Sequence, residues 1–405
     1  MTAAATADLF RMPWMSSDNA MTWLEPTRKC NITCDACFAE NDPRSEKSLA
    51  RIEHELDTLL RLRRCDAMLI AGGEPLTHPG IVHVVALVKR RGVKPVLVTN
   101  GVGLDASLLH DLRRAGTFGF TFHVDSHQSR PGWLGRSERE LNALRSQLAD
   151  SVHAEGGLSC CFNTTIFPDT LAAVPDVVAW AVERPDRVHV LTLICVRMAE
   201  PDGPFAYWAG DREVDLRETP YASAESYGHL TSEEILEQVK KVLPDFALCA
   251  YLGGTQRPHA LKWAIGCHVT RAGRSYGCVG PRFMEIMQNG AHALRGRYLA
   301  YAHPRQSRMG RASLLLGLVE PGLRRAAAHW IASAVRHPAD AFKRLHLQSL
   351  TVVQPVDILP SGEMDTCDGC PNATFWQERL VAACRLDEYQ RYGRALHAVP
   401  RAARG

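Results

Sequence analysis

The stretch TWLEPTRKCNITCDAC, Thr22 to Cys37, sets a short apolar, β-rich run directly ahead of three cysteines spaced Cys-x3-Cys-x2-Cys. Cys30, Cys34 and Cys37 thus share one loop. A structural zinc site closes its shell with four ligands, so three thiols with no fourth nearby are either an incomplete set or an unsaturated one. Iron–sulfur clusters ordinarily take four thiolates, and three leave one iron free to bind something else. The loop alone also admits a zinc knot borrowing a distant cysteine, or three unrelated core thiols.

Working outward, the run before Cys30 is the first of six. The others are AMLIAGG (Ala67 to Gly73), KPVLVTNG (Lys94 to Gly101), GFTFHVDS (Gly119 to Ser126), LSCCFNTTIF (Leu158 to Phe167) and VHVLTLICV (Val188 to Val196). Between them lie helical patterns such as Leu49, Ile52, Leu56, Leu59 and Leu60, and Leu108 with Leu112 closed by Gly116 as a C-cap. Strands alternating with helices predict a parallel sheet, curved by right-handed crossovers into an open or partial barrel. In such folds the ligand sits at the carboxyl ends of the strands. Here those ends are polar or glycine-rich: the cysteine loop, Gly72 to Pro75, Asn100 with Gly101, Asp125 with Ser126, and Asn163 with Thr164.

The 405 residues carry a net charge of +3, too little to make nucleic acid the expected partner. No apolar run approaches the ~18 residues of a transmembrane helix, and the amino-terminal stretch does not read as a secretory signal. Thirteen cysteines in such a chain argue for metal or redox chemistry in a reducing cytoplasm over a disulfide framework. Charge is uneven. Residues 291–350 hold ten Arg or Lys against Glu320 and Asp340, a net +8, which leaves −5 elsewhere.

The cysteine loop after the first strand, followed by Gly72, Gly73, Glu74 and Pro75 after the second, resembles the radical S-adenosylmethionine superfamily. The resemblance covers about Thr22 to Met198. It implies an α/β fold, a partial (β/α)6 barrel, with Cys30, Cys34 and Cys37 holding a [4Fe–4S] cluster whose free iron is chelated by S-adenosylmethionine. Gly72, Gly73, Glu74 and Pro75 would hold the methionine end, and Asp125, Ser126, Asn163 and Arg197 would contact the cofactor further along. In many members an aromatic residue or His precedes the third cysteine; here Ala36 stands there and Phe38 follows Cys37. His123, His127 and Arg130 point toward the same cavity mouth, where a histidine at a strand end is more often simply hydrogen-bonded than catalytic. The implied activity is reductive cleavage of S-adenosylmethionine to a 5′-deoxyadenosyl radical that abstracts a hydrogen atom from substrate. A flavodoxin or ferredoxin would be the reductant.

The tail carries Cys367, Cys370 and Cys384, a CxxC with a third cysteine after thirteen residues. It resembles the SPASM-like auxiliary-cluster extensions of that superfamily, which implies a second [4Fe–4S] cluster, with Cys278 as preferred fourth ligand and Cys267 next. The same spacing suits zinc. Cys65, Cys160, Cys161, Cys195 and Cys249 fall in apolar contexts and read as core residues.

In the basic segment, Leu323, Ala327, Trp330, Ile331 and Ala334 recur at helical spacing among Arg324, Arg325 and Arg336. Such a helix either packs its apolar stripe on a domain or lies on an anionic membrane surface. The expected organisation is a flexible leader over residues 1–20, the barrel over 21–200, and a linker with a helical connection over 201–290. A basic amphipathic helical segment over 291–350 and a cysteine-containing α/β or α-rich region over 351–405 complete it. The expected substrate is a lipid or isoprenoid, a peptide or a small metabolite, and the expected location is cytoplasmic with peripheral membrane contact. The rival from another class is a non-catalytic zinc or iron–sulfur protein for sensing or cluster assembly.

Overall fold

A computed structural model describes residues 6–222 and 230–401. Six consecutive strands, β1 (Met21–Thr27), β2 (Ala67–Gly72), β3 (Lys94–Thr99), β4 (Gly119–His123), β5 (Ser159–Ile166) and β6 (Val190–Cys195), pair in parallel in that order. They alternate with α1 (Leu49–Leu62), α2 (Ile81–Arg90), α3 (Ala106–Ala115), α4 (Glu138–Glu155) and α5 (Val174–Val182). This is the partial (β/α)6 barrel. Its strands read as nearly continuous apolar runs because both faces are covered, as parallel sheets require. Leu24, Met68, Ile70, Leu97 and Phe120 face the helical layer, while their neighbours Trp23, Leu69, Ala71 and Val96 face the concave side.

The helix ends follow their local chemistry. Gly116 closes α3 in the left-handed region at φ +106°, as its place after Leu112 predicts. A buried pair, Arg145 with Glu138, ties α4 to the end of β4, since Arg145 Nη2 donates to Val124 O at 2.9 Å and Glu138 Oε1 accepts from Ser126 N at 2.6 Å.

Past the barrel, α6 (Ser232–Val242) begins with the expected Thr231 and Glu234 capping box. The chain between the barrel and residue 290 also forms strands, among them β7 (Ala250–Leu252), β8 (Trp263–Arg271) and β9 (Arg274–Cys278), followed by α7 (Pro281–Arg295). Within the basic stretch, α8 (Pro321–Arg336) is followed by β10 (His346–Val353), which pairs in parallel with β6 and antiparallel with β8. The barrel sheet is therefore extended by strands from far downstream. Residues Phe10–Arg11 add to β7, and Met12 and Trp14 are buried, so the described part of the leader is packed because the extended sheet offers it an edge. On the concave side, Tyr276, Phe283, Leu323 and Ala326 pack beneath Trp23, Leu69 and Val96. Space remains at the carboxyl ends of the strands.

Candidate functional site

A cavity of about 340 Å³ lies at those ends, lined by Cys30, Cys34, Cys37, Gly72, Gly73 and Glu74 together with Asn100, His123, Asp125, Gln128 and Arg197. The three cysteines are free and half-buried. Their loop is zipped to the loop after β4: Ser129 N donates to Thr33 O at 2.9 Å, Thr33 N to Ser129 Oγ at 2.8 Å, and Asp35 N to His127 O at 3.0 Å. Ala36 adopts the left-handed region at φ +57°, turning the chain between Cys34 and Cys37. Asn100 Nδ2 reaches Cys30 Sγ at 3.9 Å and Asn31 Oδ1 at 2.8 Å. Burial raises all three thiol pKa values, and Cys34 is raised further by Cys37, Asp125 and Cys30. With pKa values raised in this way, a metal that binds these groups must displace their protons.

The glycines of the second motif answer to crowding by the cysteine loop's own stem. A Cβ on Gly73 would lie closer than 3.0 Å to Arg28 O and Lys29 O; Gly72, at φ +118°, would meet Thr27 O and Glu25 Cγ. Glu74 is fully buried and its carboxylate is engaged by the protein, accepting from Thr99 Oγ1 at 2.6 Å, Asn100 N at 2.7 Å and Leu76 N at 3.0 Å. It clamps the end of β2 to the end of β3. Pro75 opens a short 3-10 turn behind this clamp and is off the cavity wall.

Asp125 is buried, with Oδ2 3.0 Å from His123 Nε2, which also lies 3.0 Å from Thr165 Oγ1. Burial works to raise the Asp125 pKa, but the hydrogen bond and charge of His123 outweigh it and the net direction is down. Ser126 and Asn163 do not line the cavity; Ser126 N is held by Glu138, Asn163 pairs with His123 within the sheet, and Thr165 takes the wall position on β5. His127 lies 3.0 Å from Asp35 Oδ2 and stacks on Phe167. Arg130 is buried as a tie, donating to Asn100 O at 2.6 Å and Gln128 Oε1 at 2.9 Å.

Arg197 reaches the cavity but is paired, Nε to Asp357 Oδ1 at 2.7 Å. Asp357 also accepts from the buried Lys262 Nζ at 2.7 Å; burial alone would raise its pKa, and Arg197 and Lys262 hold it at about 2. No motif marks this network, because its members come from segments 160 residues apart. The same holds for Arg28, whose Nη2 donates to Asp387 Oδ1 at 2.8 Å, while Arg391 bridges Asp387 and Glu40 at 2.7 and 2.8 Å. The tail thereby grips the cysteine loop.

In the tail, Cys367 and Cys370 share a side-chain hydrogen bond that raises Cys367 and lowers Cys370, and burial followed by Cys370 pushes Cys384 up to about 12. Cys384 also lines the cavity, so this cysteine group backs onto the same space. Cys278 does not join it. Its Sγ accepts from Ala247 N at 3.4 Å and its charged neighbours are Asp245 and Arg325, because β9 carries it to the side of the sheet near Cys249 and Cys267. Cys267 is likewise buried there, beside Ser349. Neither Cys278 nor Cys267 is among the groups that act on Cys367, Cys370 or Cys384. Among the described residues, no three His, Cys, Asp or Glu side chains converge as the ligands of a single metal ion.

Residues 24–181 match the radical SAM superfamily. Three curated relatives are an S-adenosylmethionine-dependent nucleotide dehydratase of Selenomonas ruminantium, an AdoMet-dependent heme synthase of Methanosarcina barkeri and a PqqA peptide cyclase of Gluconobacter oxydans. The first is 36% identical over 19% of this chain and 28% of its own length, the second 28% over 30% and 36%. The third is 26% identical over 39% of this chain and 45% of its own. The chain thus spans less than half the length of each. Among solved structures, Streptococcus suis SuiB bound to S-adenosylmethionine aligns with a TM-score of 0.41 and 13% identity, covering 57% of this chain and 48% of that one. Taken with the strand order and the cysteine loop, the match establishes that this chain carries a radical SAM superfamily domain over residues 24–181.

Proposed function

We propose that this chain is a radical enzyme in which Cys30, Cys34 and Cys37 hold a [4Fe–4S] cluster with one iron open to S-adenosylmethionine. The observation that carries the reading is the joint exposure of three free thiols, the Gly72–Gly73 turn and Asp125 to one cavity at the strand ends. Three cysteines on one loop supply three thiolates, the ligand set that leaves one iron of such a cluster open. When bound, the cluster and S-adenosylmethionine supply a 5′-deoxyadenosyl radical that takes a hydrogen atom from substrate.

The chain's own residues supply the setting. Asn100 and Asn41 steady Cys30, the latter accepting from Cys30 N at 2.9 Å. Ile194, Val196, Met198, Tyr207, Leu216 and Ile358 form an apolar wall that keeps water from a reactive intermediate and suits an apolar substrate such as a lipid or isoprenoid. Arg197 lines the same cavity, held by Asp357 through Nε and by Val196 O through Nη1 at 2.7 Å. Cys367, Cys370 and Cys384 hold a second [4Fe–4S] cluster, and a flavodoxin or ferredoxin supplies electrons.

Anaerobic reconstitution tests the reading. The chain should bind iron and sulfide and, on reduction, release 5′-deoxyadenosine from S-adenosylmethionine; replacing Cys30, Cys34 and Cys37 by Ala should remove about four irons and all nucleoside release. Zinc as the sole bound metal, with no nucleoside formed, would favour a non-catalytic metal-binding protein.

A further inference from the structure

The basic segment has a surface that neither the barrel nor the cavity explains. The structure splits the apolar stripe of α8. Leu323 and Ala326 are buried against β9, Ala327, Trp330 and Ala334 are half-buried, and Ile331 is exposed together with Val335 one turn on. The turns Leu314–Leu318 and Pro338–Phe342 both pack against α8 and add Leu315, Leu318, Val319 and Phe342 to the exposed set. Leu318 is 88% exposed, Phe342 84%, and Leu315 and Val335 76% each, so these side chains face solvent. Arg324 fixes the arrangement by donating from Nε to Gly317 O at 3.1 Å, which anchors the first turn to the start of the helix. Large exposed apolar residues in such a group mark an interaction surface, whereas single ones need no explanation.

The exposed charges that the segment itself contributes are of one sign. Arg305, Arg308, Arg311, Arg325, Arg336 and Arg344 are exposed, and among the described residues none of them pairs with a carboxylate. The two acids of the segment are turned inward. Glu320 is 1% exposed and caps α8, accepting from Gly322 N at 2.9 Å and Leu323 N at 2.6 Å. Asp340 is buried against Arg271 at 2.7 Å and Lys343 at 3.3 Å. Folding therefore removes the segment's negative charge from the surface and leaves its arginines uncompensated. We infer that this face, built from α8 and its two flanking turns, is a docking surface for an anionic phospholipid bilayer. The exposed apolar side chains enter the interfacial region while the arginines meet lipid phosphates. Lipid is favoured over an acidic protein because exposed apolar side chains stand among arginines that, among the described residues, pair with no carboxylate, a composition that an anionic bilayer complements without a matching shape. The inference is independent of the chemistry proposed for the cavity.

The test is flotation of the intact chain with vesicles of phosphatidylcholine containing roughly a third phosphatidylglycerol, against phosphatidylcholine alone. The wild type should float with the anionic vesicles, and far less with neutral vesicles or at high salt. Arg325→Glu with Arg336→Glu, and separately Leu318→Asp with Val335→Asp, should each lower the bound fraction at least about tenfold while leaving the thermal midpoint unchanged, since all four side chains are exposed. Absence of flotation, or flotation that both variants retain, would overturn the inference. So would a concentration-dependent dimer in sedimentation velocity that the same variants dissolve, because the face would then bind a second copy.

Discussion

Gly73→Ala probes the link between the second motif and the cysteine loop. The added methyl would press on Arg28 O and Lys29 O, backbone atoms of the segment that leads into Cys30, so one of the two chains must move. Overpacking of this kind costs about 1–3 kcal/mol. Moving the chains apart also strains two backbone hydrogen bonds, Gly73 N to Thr27 O at 3.0 Å and Glu74 N to Lys29 O at 2.8 Å. At ~0.5–1.5 kcal/mol each they bring the total to about 2–6 kcal/mol, or a fall in midpoint on the order of 2–7 °C for a chain of this size. Gly92→Ala is the control: its φ is +72° but nothing lies within 4 Å of the new Cβ, so only the left-handed backbone cost of about 1–2 kcal/mol applies. Thermal unfolding of both variants, with iron binding after anaerobic reconstitution, measures the difference. Equal midpoints for the two variants, with unchanged iron in Gly73→Ala, would refute the claim that these glycines exist to let the loop stem pass.

Asp387→Ala leaves the buried Arg28 without its 2.8 Å partner and should cost about 3–5 kcal/mol while loosening the cysteine loop, read as a lower midpoint and faster proteolysis near residue 40. Cys384→Ala should lower the iron bound by the tail, whereas Cys278→Ala should leave it unchanged, as measured by iron content per chain after reconstitution. Burial lowers His189 and His268 to about 4, so both are neutral in the folded chain at pH 5 while their unfolded counterparts take up protons. Stability should therefore fall as pH drops from about 6.5 toward 4, by ~1.4 kcal/mol per pH unit for each histidine, and His268→Gln should remove about half of that slope in urea titrations.

Much of the barrel was legible because parallel strands covered on both faces must be apolar throughout, and because Gly116 and the Thr231–Glu234 box mark helix ends by their own chemistry. The cysteine loop was legible for the same local reason: three ligands lie within eight residues. What escaped is non-local. β10 begins inside a basic, helix-patterned stretch, and only its pairing with β6 and β8 makes it a strand. The grip of Asp387 on Arg28 spans 359 residues, and no pattern in either segment announces it. The place of Cys278 beside Cys249 and Cys267 was not legible, because spacing cannot tell which side of a sheet a cysteine occupies. The stripe of α8 was read as one face, yet the helix meets β9 on only part of it, and Ile331, like Val335 outside the stripe, is left in solvent.

Electron paramagnetic resonance of the reduced, reconstituted chain, with and without S-adenosylmethionine, tests the three-thiol site most directly. A [4Fe–4S]⁺ component that shifts on adding S-adenosylmethionine and is lost when Cys30, Cys34 and Cys37 are replaced by Ala, leaving only the signal of the tail cluster that S-adenosylmethionine does not shift, is the expected result. A spectrum wholly indifferent to S-adenosylmethionine, or a component that still shifts with it after loss of all three cysteines, would contradict it.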